Sequence, residues 1–174
     1  ITNTYAGGNF AVNPVTTPFD AQEYPIVRFD YRIPDVVKTN LLARVAGRWY
    51  EIGFTDDPNS LQHNRVNIAH IGRISDVKAD DQWHTASFNL HDMLRTRTGN
   101  TQVEQLIMAD WDVTGYMLLQ YGQNEKGATY YIDNFMTFSF EDYPLRLWWG
   151  DHLRTDAYAD ILVCPTKSEH QVNE

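Results

Sequence analysis

Apolar and polar residues alternate with a period of two along much of this chain. Over residues 24–33, Val27, Phe29, Tyr31 and Ile33 fall on one side and Arg28, Asp30 and Arg32 on the other. That is the pattern of a strand with one buried face. Pro34-Asp35 ends the run. Residues 40–45 and 48–55 predict a hairpin around Ala46-Gly47, followed by a loop at Asp56-Asp57-Pro58-Asn59. Shorter strands are expected over 66–71 and 83–88. Residues 89–95 fit one or two helical turns with Leu90, Met93 and Leu94 inward, stopped by Thr98-Gly99-Asn100. Residues 103–111 and 116–121 read as an antiparallel pair around Val113-Thr114-Gly115. Weaker strands are expected over 145–149 and 158–163, and the tail 165–174 is polar.

The stretch 128–138 is aromatic, β-branched and free of Gly and Pro, and it predicts one long strand. Strict alternation puts Ala128, Tyr130, Ile132, Met136 and Phe138 on one face, and Thr129, Tyr131, Asp133 and Thr137 on the other. Asp133 in mid-strand must reach solvent, hydrogen-bond donors or a cation, because an unpaired buried carboxylate is costly. About ten short strands at regular spacing predict an all-β fold, an antiparallel β-sandwich or jelly roll with less than a fifth helix. With no internal repeat or linker, one domain is expected over 1–164, with 165–174 as a tail.

Composition narrows the partners. The chain has 174 residues and is 43% hydrophobic, enough for one domain with a real core. Its 10 Tyr and 5 Trp favour β-structure and suit surfaces that stack on sugars or pack on partners. A net charge of -9 without a Lys/Arg cluster argues against nucleic acid and anionic membrane surfaces. No apolar run is long enough for a membrane span, so no membrane insertion is expected. The single cysteine, Cys164, allows no intrachain disulfide or Cys-based zinc site and reads as a small buried hydrophobe. A chain beginning at Ile1 is expected to be a processed protein or a fragment.

Four segments carry a resemblance: YPIVRFDYRI (24–33), NLLARVAGRWYEIGFTD (40–56), WHTASFNLHDML (83–94) and GATYYIDNF (127–135). In this order they resemble carbohydrate-binding modules of the galactose-binding-like jelly-roll superfamily, over roughly residues 20–140. The resemblance implies a non-catalytic glycan-binding module of a larger or exported protein, found outside the cell. It also implies a structural calcium ion, Ca2+, held by Asp133; the ordinary alternative is an Asp satisfied by backbone N–H groups or a nearby Arg. Two departures stand out. The opening strand and Gly-rich turn of such modules have no counterpart before Ile1, and the segment beyond Phe140 matches nothing in them. Either 158–163 fills the open sheet position, or another chain does. The alternative function is therefore a structural subunit that assembles with a partner protein or as a homo-oligomer through sheet edges and aromatic patches.

Sugar sites combine a flat aromatic surface for the C–H faces of the ring with polar groups for its hydroxyl rim. Trp49, Trp83, Trp111, Trp148 and Trp149 are the candidates, each with core packing as the ordinary alternative. Trp49, Trp148 and Trp149 are expected to form the platform, with Arg48 and Glu51 as polar partners. Catalysis has little support. His63, His70, His84 and His91 lack metal-ligand spacing, and Glu51, Glu104 and Asp110 read as ordinary strand acids rather than a hydrolytic pair. No catalytic residue is expected.

Overall fold

Strand β3, Ile26–Pro34, keeps the alternation along its whole length, with Val27, Phe29, Tyr31 and Ile33 buried and Arg28, Asp30 and Arg32 only partly so. It sits at the centre of a three-stranded sheet, between β7 (Asp80–Asn89) and β9 (Tyr131–Phe138), antiparallel to both. The structure, a computed structural model, describes residues 1–4, 11–55, 68–109 and 124–140. Its second sheet runs β1 (Ala11–Val12), β8 (Gln102–Ala109), β4 (Asn40–Val45), β5 (Arg48–Gly53) and β6 (Ala69–Arg73), with β2 (Phe19–Asp20) also paired to β8. The protein is all-β, a sandwich-like arrangement of two sheets, with 54% of the described residues in strands and 6% in helix. Nine strands lie among the described residues, close to the expected ten.

The buried residues of the two sheets form a single core. Leu41, Ala43, Val45, Tyr50, Ile52, Leu106 and Met108 come from one sheet, and Val27, Phe29, Tyr31, Ile33, Ala86 and Phe88 from the other. Phe29 is its aromatic centre. Its ring lies 6.0 Å from Tyr31, 5.6 Å edge-on from Phe54 and 5.2 Å, nearly parallel, from Phe135. Tyr31 keeps its hydroxyl satisfied by accepting the Lys78 N–H at 2.9 Å.

Local chemistry explains the connections. Ala46 and Gly47 both take positive φ, at 49° and 72°, as a two-residue turn between twisted strands demands. Helix α1, Leu90–Arg95, is capped by Asn89, whose side chain accepts the Asp92 N–H at 3.0 Å. Leu90 and Leu94 are buried, and Met93 packs against Gly72, where an added Cβ would meet its sulfur at 3.1 Å.

Three expectations change. The sandwich is not wholly antiparallel, because β5 and β6 run parallel. Residues 54–68 between them are long enough for the crossover that a parallel pair needs. The alternation of residues 128–138 also breaks at Asn134. Arg28 pairs with Met136 but Asp30 with Asp133, so Asn134 and Phe135 together oppose Phe29. Asn134 takes φ 48°, a left-handed conformation that Asn tolerates better than most residues. The extra residue turns Phe135 onto Phe29 and leaves Met136 exposed. Finally, part of the edge expected to be open is filled by the chain's own start. Thr2 bridges to Thr129, the Ile1 amine donates to the Tyr130 carbonyl at 2.8 Å, and Asn3 N–H donates to Ala128. Beyond that point β9 pairs only with β3 among the described residues. Segments 116–121, 145–149, 158–163 and 165–174 lie outside the described residues.

Phe29→Ala is expected to lower the unfolding free energy by about 3–5 kcal/mol in a denaturant titration, the usual cost of emptying an aromatic core site. At the bulge, Asn134→Gly and Asn134→Ala lose the same side chain. The Ala variant is expected to be less stable by about 1–2 kcal/mol, because only Gly takes the left-handed conformation without strain. Equal stability of the two would remove the backbone explanation.

Candidate functional site

The sequence-selected residues land in different surroundings. Trp49 is half-buried, with the Arg44 guanidinium 5.8 Å from its ring. Arg44 Nε lies 3.2 Å from Glu104 but without the alignment of a hydrogen bond. Arg48 is exposed at the hairpin end. Glu51 is only 3% exposed and accepts the Asn40 side-chain N–H at 2.8 Å, while Asn40 accepts the Phe54 N–H at 2.7 Å. A buried, hydrogen-bonded Glu51 cannot offer its oxygens to a ligand alongside Trp49, so these three do not make one open platform. Trp148, Trp149, Trp111, His63, Asp110 and Cys164 lie outside the described residues.

A different surface has the expected composition. The face of β7-β3-β9 turned away from the core is set by register. Arg32 is directly opposite Trp83 on one side and Tyr131 on the other, and Asp30 is opposite Thr85 and Asp133. Paired residues project to the same side of a sheet, so these six side chains share the outer face with Arg28. Trp83 is 53% exposed and Tyr131 46%. Their rings lie 6.3 Å apart and tilted by 50°. The Arg32 guanidinium stacks over Tyr131 at 5.5 Å. Beside the aromatics is an open depression of about 430 Å3 lined by Asp30, Trp83, His84, Thr85 and Asp133.

Two left-handed residues frame this face. Asp81, at φ 59°, sits at the irregularity between β7 and β3, and Asn134 at the one between β9 and β3. Each reaches a charged residue of β3. Arg32 donates to both carboxylate oxygens of Asp81, at 2.9 and 3.0 Å, and Asn134 donates to Asp30 at 2.7 Å. Bulges re-aim side chains, and here they aim two onto the central strand.

Electrostatics favour the ionised form of Asp30, Asp80 and Asp81. Burial pushes the Asp30 carboxyl up, but hydrogen bonds from Thr85 and Asn134 and the nearby Arg28 charge outweigh it, leaving its pKa below 3.8. The Arg32 hydrogen bonds hold Asp81 below that value, and the His84 hydrogen bond does the same for Asp80. His84 Nε2 is 2.7 Å from Asp80 Oδ1. Asp133 accepts the Asn134 N–H at 2.8 Å. With Asp30 opposite, it could offer oxygens to a cation; among the described residues no group of three His, Cys, Asp or Glu comes together. The described residues also include no helix long and apolar enough to cross a membrane.

In the sequence Trp83 is one of five Trp candidates but not one of the three expected to form the platform, and Tyr131 is not a candidate. The usable signal was weak: alternation already placed Tyr131 on the same face as Asp133. Nothing local showed that Trp83 would sit two strands away.

Asp30, Asp80 and Asp81 have lower pKa values folded than unfolded, so the unfolded chain takes up protons first as pH falls. Their stabilisation is complete above the unfolded value and is lost as pH drops through the folded one. The denaturation midpoint is expected to fall below about pH 5, and Asp30→Asn should make that fall shallower. An unchanged slope in the variant would show that Asp30 is not among the groups responsible. Comparison with protein-family models gave no match, and neither did a search of curated proteins.

Proposed function

We propose that this chain is a non-catalytic carbohydrate-binding module that takes a glycan on the outer face of β7-β3-β9. One observation carries the reading: Trp83 and Tyr131 stand exposed side by side on a sheet face that also presents the polar side chains of Asp30, Thr85 and Asp133. Indole and phenol rings offer apolar area with little conformational freedom to lose, which suits the C–H face of a pyranose. Thr85, Asp30 and Asp133 beside them suit its hydroxyl rim, and the depression they line is large enough for a sugar unit. The resemblance of four segments to glycan-binding modules of exported proteins points the same way.

A second reading is assembly, in which the exposed rings of Trp83 and Tyr131 would pack on a second copy or a partner protein rather than on a sugar.

Affinity electrophoresis in gels containing soluble polysaccharides, together with a glycan array, tests the first reading. Trp83→Ala and Tyr131→Ala are each expected to weaken binding about tenfold, roughly 1.4 kcal/mol. Trp49→Ala should leave it unchanged. Absence of binding to every glycan, combined with concentration-dependent oligomers in light scattering, would replace the module reading with assembly.

A further inference from the structure

We infer that the glycan class suited to this face is one built from amino sugars carrying free ammonium groups. The inference rests on the glycan reading above and narrows it. It combines the state of the two aromatic rings with the charge around them.

The rings are not equivalent. Tyr131 already carries a cation, the Arg32 guanidinium. Trp83 is the more exposed of the two, and no Lys or Arg stacks on it among the described residues. Indole is the best side-chain partner for a cation. An ammonium arriving at this surface finds one aromatic face occupied and the stronger one open.

Among the described residues, the charges that line the depression with Trp83 are unbalanced. Asp30 and Asp133 line it together with His84, which is hydrogen-bonded to Asp80, and the guanidinium groups of the face are Arg28 and Arg32. Arg32 is committed to Asp81 through two hydrogen bonds. Arg28 comes no closer than 4.0 Å to Asp30. The Asp30 oxygens instead hold neutral donors, the Thr85 hydroxyl at 2.6 Å and the Asn134 amide at 2.7 Å. Among the described residues, Asp133, directly opposite, accepts the Asn134 N–H. Two carboxylates paired across strands and held mainly by neutral donors disfavour a further negative charge beside them. A cation in the depression they share with Trp83 offsets their charge. A uronic acid or sulfated sugar adds to it. An N-acetylated sugar has the same ring and stacking surface but no charge to contribute.

The test uses three hexasaccharides: glucosamine, N-acetylglucosamine and galacturonic acid. Binding is measured by calorimetry on the full chain at about pH 5.5, where aspartates are ionised and amines protonated. EDTA is present so that no divalent cation screens the carboxylates. The glucosamine hexamer is expected to bind at least tenfold more tightly than its N-acetylated counterpart, and the galacturonate hexamer least well. Asp133→Asn should remove most of that preference, and added salt should shrink it. Trp83→Ala, which leaves the net charge unchanged, should weaken binding of both amino-sugar hexamers. Circular dichroism and melting of each variant confirm that it is folded.

Equal affinity for the charged and N-acetylated hexamers, still dependent on Trp83, would overturn this inference and leave the glycan site standing. A preference unaffected by Asp133→Asn would also overturn it. Glucosamine binding that survives Trp83→Ala would show only attraction of a polycation to an acidic chain. Failure of all three hexamers and of the polysaccharide panel would instead bring down the glycan reading itself.

Discussion

The pleat of β3 is the constraint on which both halves of this molecule depend. A strand buried on one side and flanked on both edges must send successive side chains in opposite directions. Val27, Phe29, Tyr31 and Ile33 therefore fill the core, and Arg28, Asp30 and Arg32 are fixed on the outer face. A one-residue slip would bury the charges and expose the rings. Phe29, with three aromatic rings packed around it, makes such a slip costly. The same packing holds the outer row in place without any contribution from the outer row itself.

That division explains why the ion pairs of the outer face are better read as positioning than as stability. Arg32–Asp81 is exposed and bidentate, with side chains 40% and 50% accessible. Pairs of that kind contribute little to folding. Their geometric effect is larger. The Arg32–Asp81 pair holds the guanidinium over Tyr131, and the Asn134–Asp30 bond ties the β9 bulge to β3. Each bulge places a residue in the left-handed region at a modest local cost and directs a polar side chain inward along the face.

The two sheets treat their outward sides differently. In β4 and β5, Leu42 and Glu51 pair with each other on the side opposite Leu41 and Ile52, yet they are 0% and 3% exposed. The polar atoms there are used internally, through Asn40 and Phe54. On β7-β3-β9 the outward side keeps large aromatics in solvent. Buried polar groups need fixed partners, whereas exposed ones remain available to a ligand. Among the described residues, the exposed rings of Trp83 and Tyr131 lie on β7-β3-β9, while Glu51 is buried in the other sheet.

What the sequence determined by itself is everything that depends on near neighbours along the chain. The alternation of 24–33, the turn at Ala46-Gly47 and the short helix with Leu90 and Leu94 inward all follow from local sterics and local burial pattern. Tertiary structure decided what depends on pairing. Strict alternation put Met136 inward, but the bulge at Asn134 sent Phe135 there instead, because Phe29 offered a ring to stack on. The parallel pairing of β5 and β6 depends on where the chain returns, which no period of two encodes. The same holds for the face that unites Trp83, Arg32 and Tyr131. These three are far apart along the chain and become neighbours only through the register of two strands against a third. Side-chain direction is a local property of the backbone, while strand partners are chosen by the core as a whole.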